Sequence, residues 1–118
     1  MLVSIVIPCY NSEQTIGKVV ELAIEEFEKL KDYECEFVLV NDYSRDNTWK
    51  SIHALTEKYP NVKGINLAKN FGQHNAIMAG MNYAQGELIL GMDDDMQNHP
   101  SQIPQFLDKM EEGYDIDR

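Results

Sequence analysis

The chain is poor in positive charge and in cysteine, and it has no long apolar run. Ten Lys and Arg stand against twenty Asp and Glu, for a formal net charge of -10. That balance opposes attraction to nucleic-acid phosphates, and no Lys/Arg stripe interleaved with aromatics offsets it, so nucleic acid is not an expected partner. Two cysteines, Cys9 and Cys35, form no zinc or redox spacing and are too few for a disulfide framework. They read as reduced thiols of a cytosolic protein. No stretch approaches the roughly 18 to 20 apolar residues that span a bilayer, and the N-terminus has no basic start or cleavage site, so the chain as it stands is expected to be soluble. Neither GxGxxG nor GxxxxGK[ST] occurs, which removes the two common phosphate cradles. There is no linker, repeat or low-complexity segment. An acidic protein of this kind binds an anion only through local devices: a helix N-terminus, a few placed cations or a metal ion.

What is present is enough for one domain: 118 residues, 43% of them hydrophobic. Leu2 to Pro8 is apolar at nearly every position, as in a strand covered on both faces of a parallel sheet. Asn11 or Ser12 is placed to cap a helix whose inward stripe is Ile16, Val19, Val20, Ala23, Ile24, Phe27 and Leu30. A second strand follows at Glu36 to Val40. Trp49, Ile52, Leu55 and Tyr59 then mark a helix stopped by Pro60-Asn61. Val62 to Leu67 is a third strand, Gln73 to Ala84 a helix with Ile77, Gly80, Met81 and Ala84 inward, and Glu87 to Met92 a fourth strand. Ile103, Phe106, Leu107 and Met110 define a last helix with Gly113 as its left-handed cap. Four βα units in succession predict a doubly wound, mostly parallel α/β sheet. Tyr114 to Arg118 reads as a fifth strand cut short, so the chain is expected to be truncated at its C-terminus.

Ligands of open α/β sheets bind beyond the carboxyl ends of the strands. Three such ends are unusual: Pro8-Cys9-Tyr10-Asn11, Asn41-Asp42-Tyr43-Ser44 and Asp93-Asp94-Asp95-Met96-Gln97. Three adjacent carboxylates repel one another unless a cation or deep solvation compensates. In extended or turning chain Asp93 and Asp95 point one way with Gln97, whereas Asp94 points elsewhere and is expected to tolerate substitution. Hard oxygen donors of this number favour Mg²⁺ or Mn²⁺ completed by ligand phosphates. Asp42 could accept a hydrogen bond from a base N–H, and Tyr10 could lay its ring on a base or ribose. The competing explanation is solvated acids and turn chemistry at Asn11, Asn41, Asp42 and Ser44. His53, His74 and His99 form no metal pattern and suit surface or loop roles. Trp49, Met78, Met81 and Met110 fall on helical stripes and are expected in the core.

The motifs IPCYN (7–11), VNDYSRDNT (40–48), LAKNFGQHNAIMAG (67–80) and MDDDMQNHP (92–100), in that order, resemble family 2 glycosyltransferases of the GT-A, Rossmann-like type. The DxDxQ followed by proline and the KNFG stretch are similar to the branch of dolichyl-phosphate mannose synthases and bacterial polyprenyl-phosphate sugar transferases. The resemblance implies that residues 1–118 are the donor-binding part of a catalytic domain. It implies a UDP- or GDP-sugar donor with Pro8, Tyr10, Asn11, Glu13, Asp42, Lys69, Asp93 and Asp94 binding the nucleotide, and Asp93, Asp95 and Gln97 holding the metal and diphosphate. Lys69 stands where such proteins usually carry arginine and could meet phosphate as a point charge. Asn41 replaces the first of the usual paired acids.

Members of the family invert the anomeric centre by direct displacement. A polyprenyl phosphate acceptor is already an anion and needs little help from a base, whereas a hydroxyl of a glycan acceptor needs one. The acceptor-side residues, any base and any membrane contact are expected beyond residue 118, at the cytoplasmic face of the membrane, which leaves open a donor-binding fragment without turnover. A receiver domain places its acids after the first and third strands, and a haloacid-dehalogenase-like phosphatase places DxD on the first with Thr or Val beyond. Strand one here ends in Pro8-Cys9 and the third in Lys69-Asn70, and Met96-Gln97 does not fit the phosphatase, so the receiver domain, a Mg-binding signalling module, is the alternative to the transferase.

Overall fold

The computed structural model describes residues 1–94 and 103–111. The chain alternates β1 (Leu2–Cys9), α1 (Ile16–Glu28), β2 (Glu34–Asn41), α2 (Thr48–Lys58), β3 (Val62–Asn66), α3 (Gln73–Met81), β4 (Leu88–Gly91) and α4 (Ile103–Glu111). The four strands are all parallel, in the order β3-β2-β1-β4. The doubly wound α/β architecture expected from the sequence is therefore present, and the strand order reverses between β1 and β4. No helix among the described residues is long and apolar enough to cross a membrane.

The unbroken apolar run of β1 is explained by its central place, since both of its faces are covered. On one face Val3, Ile5, Ile7, Phe37 and Leu39 meet α1, α2 and α4 through Val19, Val20, Phe27, Ile52 and Leu107. On the other, Val6, Val38 and Val40 meet α3 through Ala76, with Ile77 and Ala84 at the margin. Trp49 packs against the first cluster as expected. Met78 and Met81 do not join the second: they are 52% and 41% exposed. The helix lies so close to the sheet that only small residues fit beneath it, and its methionines are turned outward. His53 and His74 are exposed, His53 paired with Glu57 at 3.2 Å, while His99 lies outside the described residues.

Strand ends shift by one or two residues from expectation, and two helix boundaries also differ. The N-cap of α1 is Thr15, without a side-chain cap bond; Asn11 Oδ1 accepts from the Arg45 amide, and the Ser12 amide donates to Thr48 Oγ1 at the start of α2. The third helix stops at Met81 rather than Ala84. The expected cap at Gly113, the fifth strand at Tyr114 to Arg118 and the side chains of Phe106 and Met110 lie outside the described residues.

Under the α3–β4 connection the second face of the sheet changes from apolar to polar. Glu36, buried, accepts hydrogen bonds from Ser4 Oγ and from the Gln85 amide at 2.6 Å, and pairs with Lys63 at 3.1 Å. Burial pushes the Glu36 pKa up, but the bonds from Ser4, Gln85 and Lys63 outweigh it and hold the carboxyl below its ordinary 4.5. A depressed carboxyl stabilises the fold fully above its unfolded pKa and ceases to do so as pH falls through the folded one. Glu36→Gln is accordingly expected to be less stable than wild type at pH 7 in urea melts. The two curves should converge as pH falls well below 4.5, and a gap that persisted in acid would assign the loss to packing.

Candidate functional site

The ladder between β1 and β4 ends for a covalent reason. Their register runs from Val3↔Leu88 to Val6↔Gly91, and the Met92 amide closes the last bond on Val6 carbonyl at 3.1 Å. The next donor on that side of β1 would be residue 8, which is proline and has no N–H. The strands part there, at the point where the strand order reverses, and a cleft of about 390 Å³ opens. Pro8, Cys9 and Tyr10 line it at the end of β1, and Asp93 and Asp94 line it beyond β4. Asp42 lines it after β2, with Asn70, Gly72 and Gln73 from the β3–α3 loop and the start of α3.

Of the residues expected around a nucleotide, Pro8, Tyr10, Asp42, Asp93 and Asp94 are thus brought together. Tyr10 is 46% exposed, its ring accessible at the cleft. Asn11 and Glu13 stand elsewhere: they hold the β2–α2 loop. The Asn11 amide donates to Ser44 Oγ at 2.9 Å, Asn11 Oδ1 accepts from the Arg45 amide at 3.0 Å, and Glu13 Oε1 accepts from the Asn47 amide at 3.2 Å. Asn11 adopts φ 51°, a left-handed conformation that asparagine tolerates. Tyr43, at φ 57° and 56% exposed, is the strained residue of the neighbouring loop, since a bulky side chain rarely occupies that region. Lys69 is exposed, its ammonium 5.3 Å from the Phe71 ring centre, and it is not among the cleft-lining residues.

Two acids serve the backbone. Asp42, 3% exposed, accepts the amides of Phe71 at 2.8 Å and Gly72 at 3.1 Å, so its carboxylate fastens the loop that walls the cleft. Gly72 takes φ 91° there, which a Cβ would oppose. Asp94 is not idle: its Oδ2 accepts the Tyr10 amide at 2.9 Å and its carbonyl accepts Thr15 Oγ1 at 2.6 Å. The expected tolerance of Asp94 to substitution is withdrawn on this geometry. Asn41 donates to Asn66 Oδ1 at 2.8 Å and accepts from Ser44 Oγ at 2.6 Å.

Burial, and then the charge of Asp94, raise the pKa of Cys9 far above the ordinary thiol range, so it contributes backbone to the cleft and no nucleophile. Cys35 is pushed up to about 11, chiefly by burial. Among the described residues no group of three or more His, Cys, Asp or Glu is arranged to hold a metal. Asp95 and Gln97, two of the three expected ligands, lie outside those residues. Asp93 faces the cleft with oxygen donors alone, a set that suits Mg²⁺ or Mn²⁺. Asn70, Gly72, Gln73 and Thr15 were not singled out in the sequence. The first three fall inside a motif whose loop position carried a signal, whereas nothing marked Thr15.

Fold and cleft define a Rossmann-like α/β domain with an open cleft at the switch point of a parallel sheet, the place where such sheets bind ligands. The chain belongs to glycosyl transferase family 2, whose model matches residues 4–117. It is 43% identical over 115 residues to the undecaprenyl-phosphate 4-deoxy-4-formamido-L-arabinose transferase of Proteus mirabilis (strain HI4320), covering 97% of this chain and 35% of that protein. Among solved structures it is similar to residues 1–349 of TarS from S. aureus in complex with UDP, at 27% identity and TM-score 0.69, over 92% of this chain and 32% of the other. The mannosyltransferase PcManGT from Pyrobaculum calidifontis, solved with GDP-Man and Mn²⁺, shares the fold at 24% identity and TM-score 0.69, over 79% and 27%. The chain therefore spans about a third of the length of these relatives. The GT-A fold and the polyprenyl-phosphate branch suggested by the motifs agree with these matches, and the receiver and phosphatase readings fall.

Proposed function

We propose that this chain binds the nucleotide-diphosphate sugar of a family 2 glycosyltransferase that transfers the sugar, with inversion, to a polyprenyl phosphate at the cytoplasmic face of a membrane. The observation that carries the reading is the cleft at the β1/β4 switch point, lined by an exposed tyrosine and by acids that offer oxygen donors alone. Support comes from the 43% identical relative, named for undecaprenyl phosphate, and from the TarS complex with UDP. Tyr10 offers a face to the base or ribose, and the cleft above Asp42 receives the nucleoside. Asp93, with Asp95 and Gln97, would hold Mg²⁺ or Mn²⁺. When bound, the ion supplies a Lewis acid and a template for the charge that develops on the departing diphosphate. Lys69, exposed in the β3–α3 loop, would meet phosphate of donor or acceptor as a point charge. The acceptor-side residues belong to the remaining length that the relatives possess, so the isolated 118 residues are expected to bind donor without turning it over.

Calorimetric titration with UDP, GDP and their sugars, with and without Mn²⁺, tests this. Expected is nucleotide binding that requires the metal and disappears in Asp95→Ala. Undiminished binding by that variant removes the role assigned to Asp95, and robust sugar transfer by residues 1–118 alone removes the division of labour.

A further inference from the structure

We infer that Asp94 is a positioning residue for this site: its carboxylate replaces the ladder bond that Pro8 cannot make, and so fixes the acid loop against β1. The inference rests on the donor-binding reading for its functional consequence, though its geometry stands independently. Beyond Met92 the two strands would be free to splay, because residue 8 has no amide hydrogen to offer. Two residues later the chain re-establishes the connection with a side chain. Tyr10, the next residue of the β1 segment whose amide faces β4, donates to Asp94 Oδ2 at 2.9 Å. Thr15, at the N-cap of α1, donates from its hydroxyl to the Asp94 carbonyl at 2.6 Å.

Asp94 is thus held at two points, one on its side chain and one on its backbone. Its neighbour Asp93 lines the same cleft as Tyr10. The bond to Asp94 Oδ2 anchors the backbone of Tyr10, which is 46% exposed. One carboxylate therefore ties the start of the acid loop, and with it Asp93, to the backbone of the cleft's tyrosine, as outer groups do for the ligands they support. A chain with a short apolar residue at 94 would leave the Tyr10 amide to water and remove one of these tethers.

Two readouts decide this on the 118-residue chain. In the first, hydrogen exchange of the Tyr10 amide is followed by NMR without any ligand. Wild type is expected to be protected, Asp94→Ala to exchange faster by on the order of tenfold, and Asp94→Asn, whose amide oxygen can accept the same bond, to stay near wild type. In the second, UDP is titrated in the presence of Mn²⁺. Asp94→Ala and Thr15→Val are expected to lose affinity, the former by roughly tenfold to a hundredfold, while Asp94→Asn is rescued. An unprotected Tyr10 amide in wild type overturns the inference. So does an Asp94→Ala variant that binds UDP and Mn²⁺ undiminished, or an Asp94→Asn variant as impaired as Asp94→Ala, which would make the charge and not the hydrogen bond the active feature. If wild type binds no nucleotide, the donor-site reading fails, and the exchange experiment still decides the latch.

Discussion

Gly80→Ala is expected to destabilise the fold by about 3 kcal/mol, the cost of forcing one methyl group into a filled interface. At this chain length that corresponds to a fall in Tm of roughly 10 °C. A Cβ built on Gly80 would lie 2.5 Å from Val6 Cγ1 and 2.9 Å from Val40 Cγ2, distances that no relaxed contact shows. Neither valine can yield, because both are fully buried in central strands. The helix would have to rise instead, and the consequence reaches the cleft: α3 begins at Gln73, which with Asn70 and Gly72 forms the side wall. Weaker nucleotide binding should accompany the lower melting temperature. Val6→Ala removes the nearer methyl group, so the double variant should be less destabilised than the sum of the two single ones, with a coupling of about 1 kcal/mol or more. Strict additivity in thermal or urea melts would show that the clash is relieved by some other movement.

This contact also explains which parts of the molecule could be read from the chain. Strands β1 and β2 were legible because a doubly covered strand must be apolar throughout, and α1 because its stripe of Ile16, Val19, Val20, Ala23 and Phe27 follows the helical period. The third helix follows the same period, but its contact with the sheet is made by Ala76 and Gly80, so hydrophobicity pointed to Met78 and Met81 instead. Size, not polarity, decides what fits beneath a helix that lies this close to a sheet. The acids at the end of β4 were legible as a charge problem needing a solution. Their division of labour was less so, because a carboxylate that binds a backbone amide has the same letter as one that faces a ligand. Asn11 and Glu13 illustrate the point: both lie beside the cleft in sequence, and both are spent on the β2–α2 loop. Such loop-to-loop bonds have no period, and Thr15 in particular became visible only when its hydroxyl was found on Asp94.

Asp42→Asn, isosteric and uncharged, is expected to lower affinity for UDP with Mn²⁺ by about tenfold, through the loop and not only through the base. The carboxylate gives one oxygen to the Phe71 amide and the other to the Gly72 amide. Asparagine has a single acceptor oxygen, so it can keep the Phe71 amide while its NH₂ group meets the Gly72 amide, which is left with Asn70 Oδ1 at 3.0 Å. Losing a hydrogen bond to a charged group costs about 1.5–3 kcal/mol. The least expensive response is local: the segment around Gly72 detaches while the sheet beneath it, held by Asp42 amide to Cys9 carbonyl at 2.9 Å, remains. Faster amide exchange at Phe71 and Gly72 with little change in global stability is the signature. Inorganic diphosphate with Mn²⁺ separates the two roles open to Asp42. A residue that only contacts the base would leave diphosphate binding unchanged, whereas one that holds the cleft wall would weaken diphosphate and UDP alike. Equal loss for both ligands is the expected result, and a loss confined to UDP, with Phe71 and Gly72 still protected, would return Asp42 to base recognition alone.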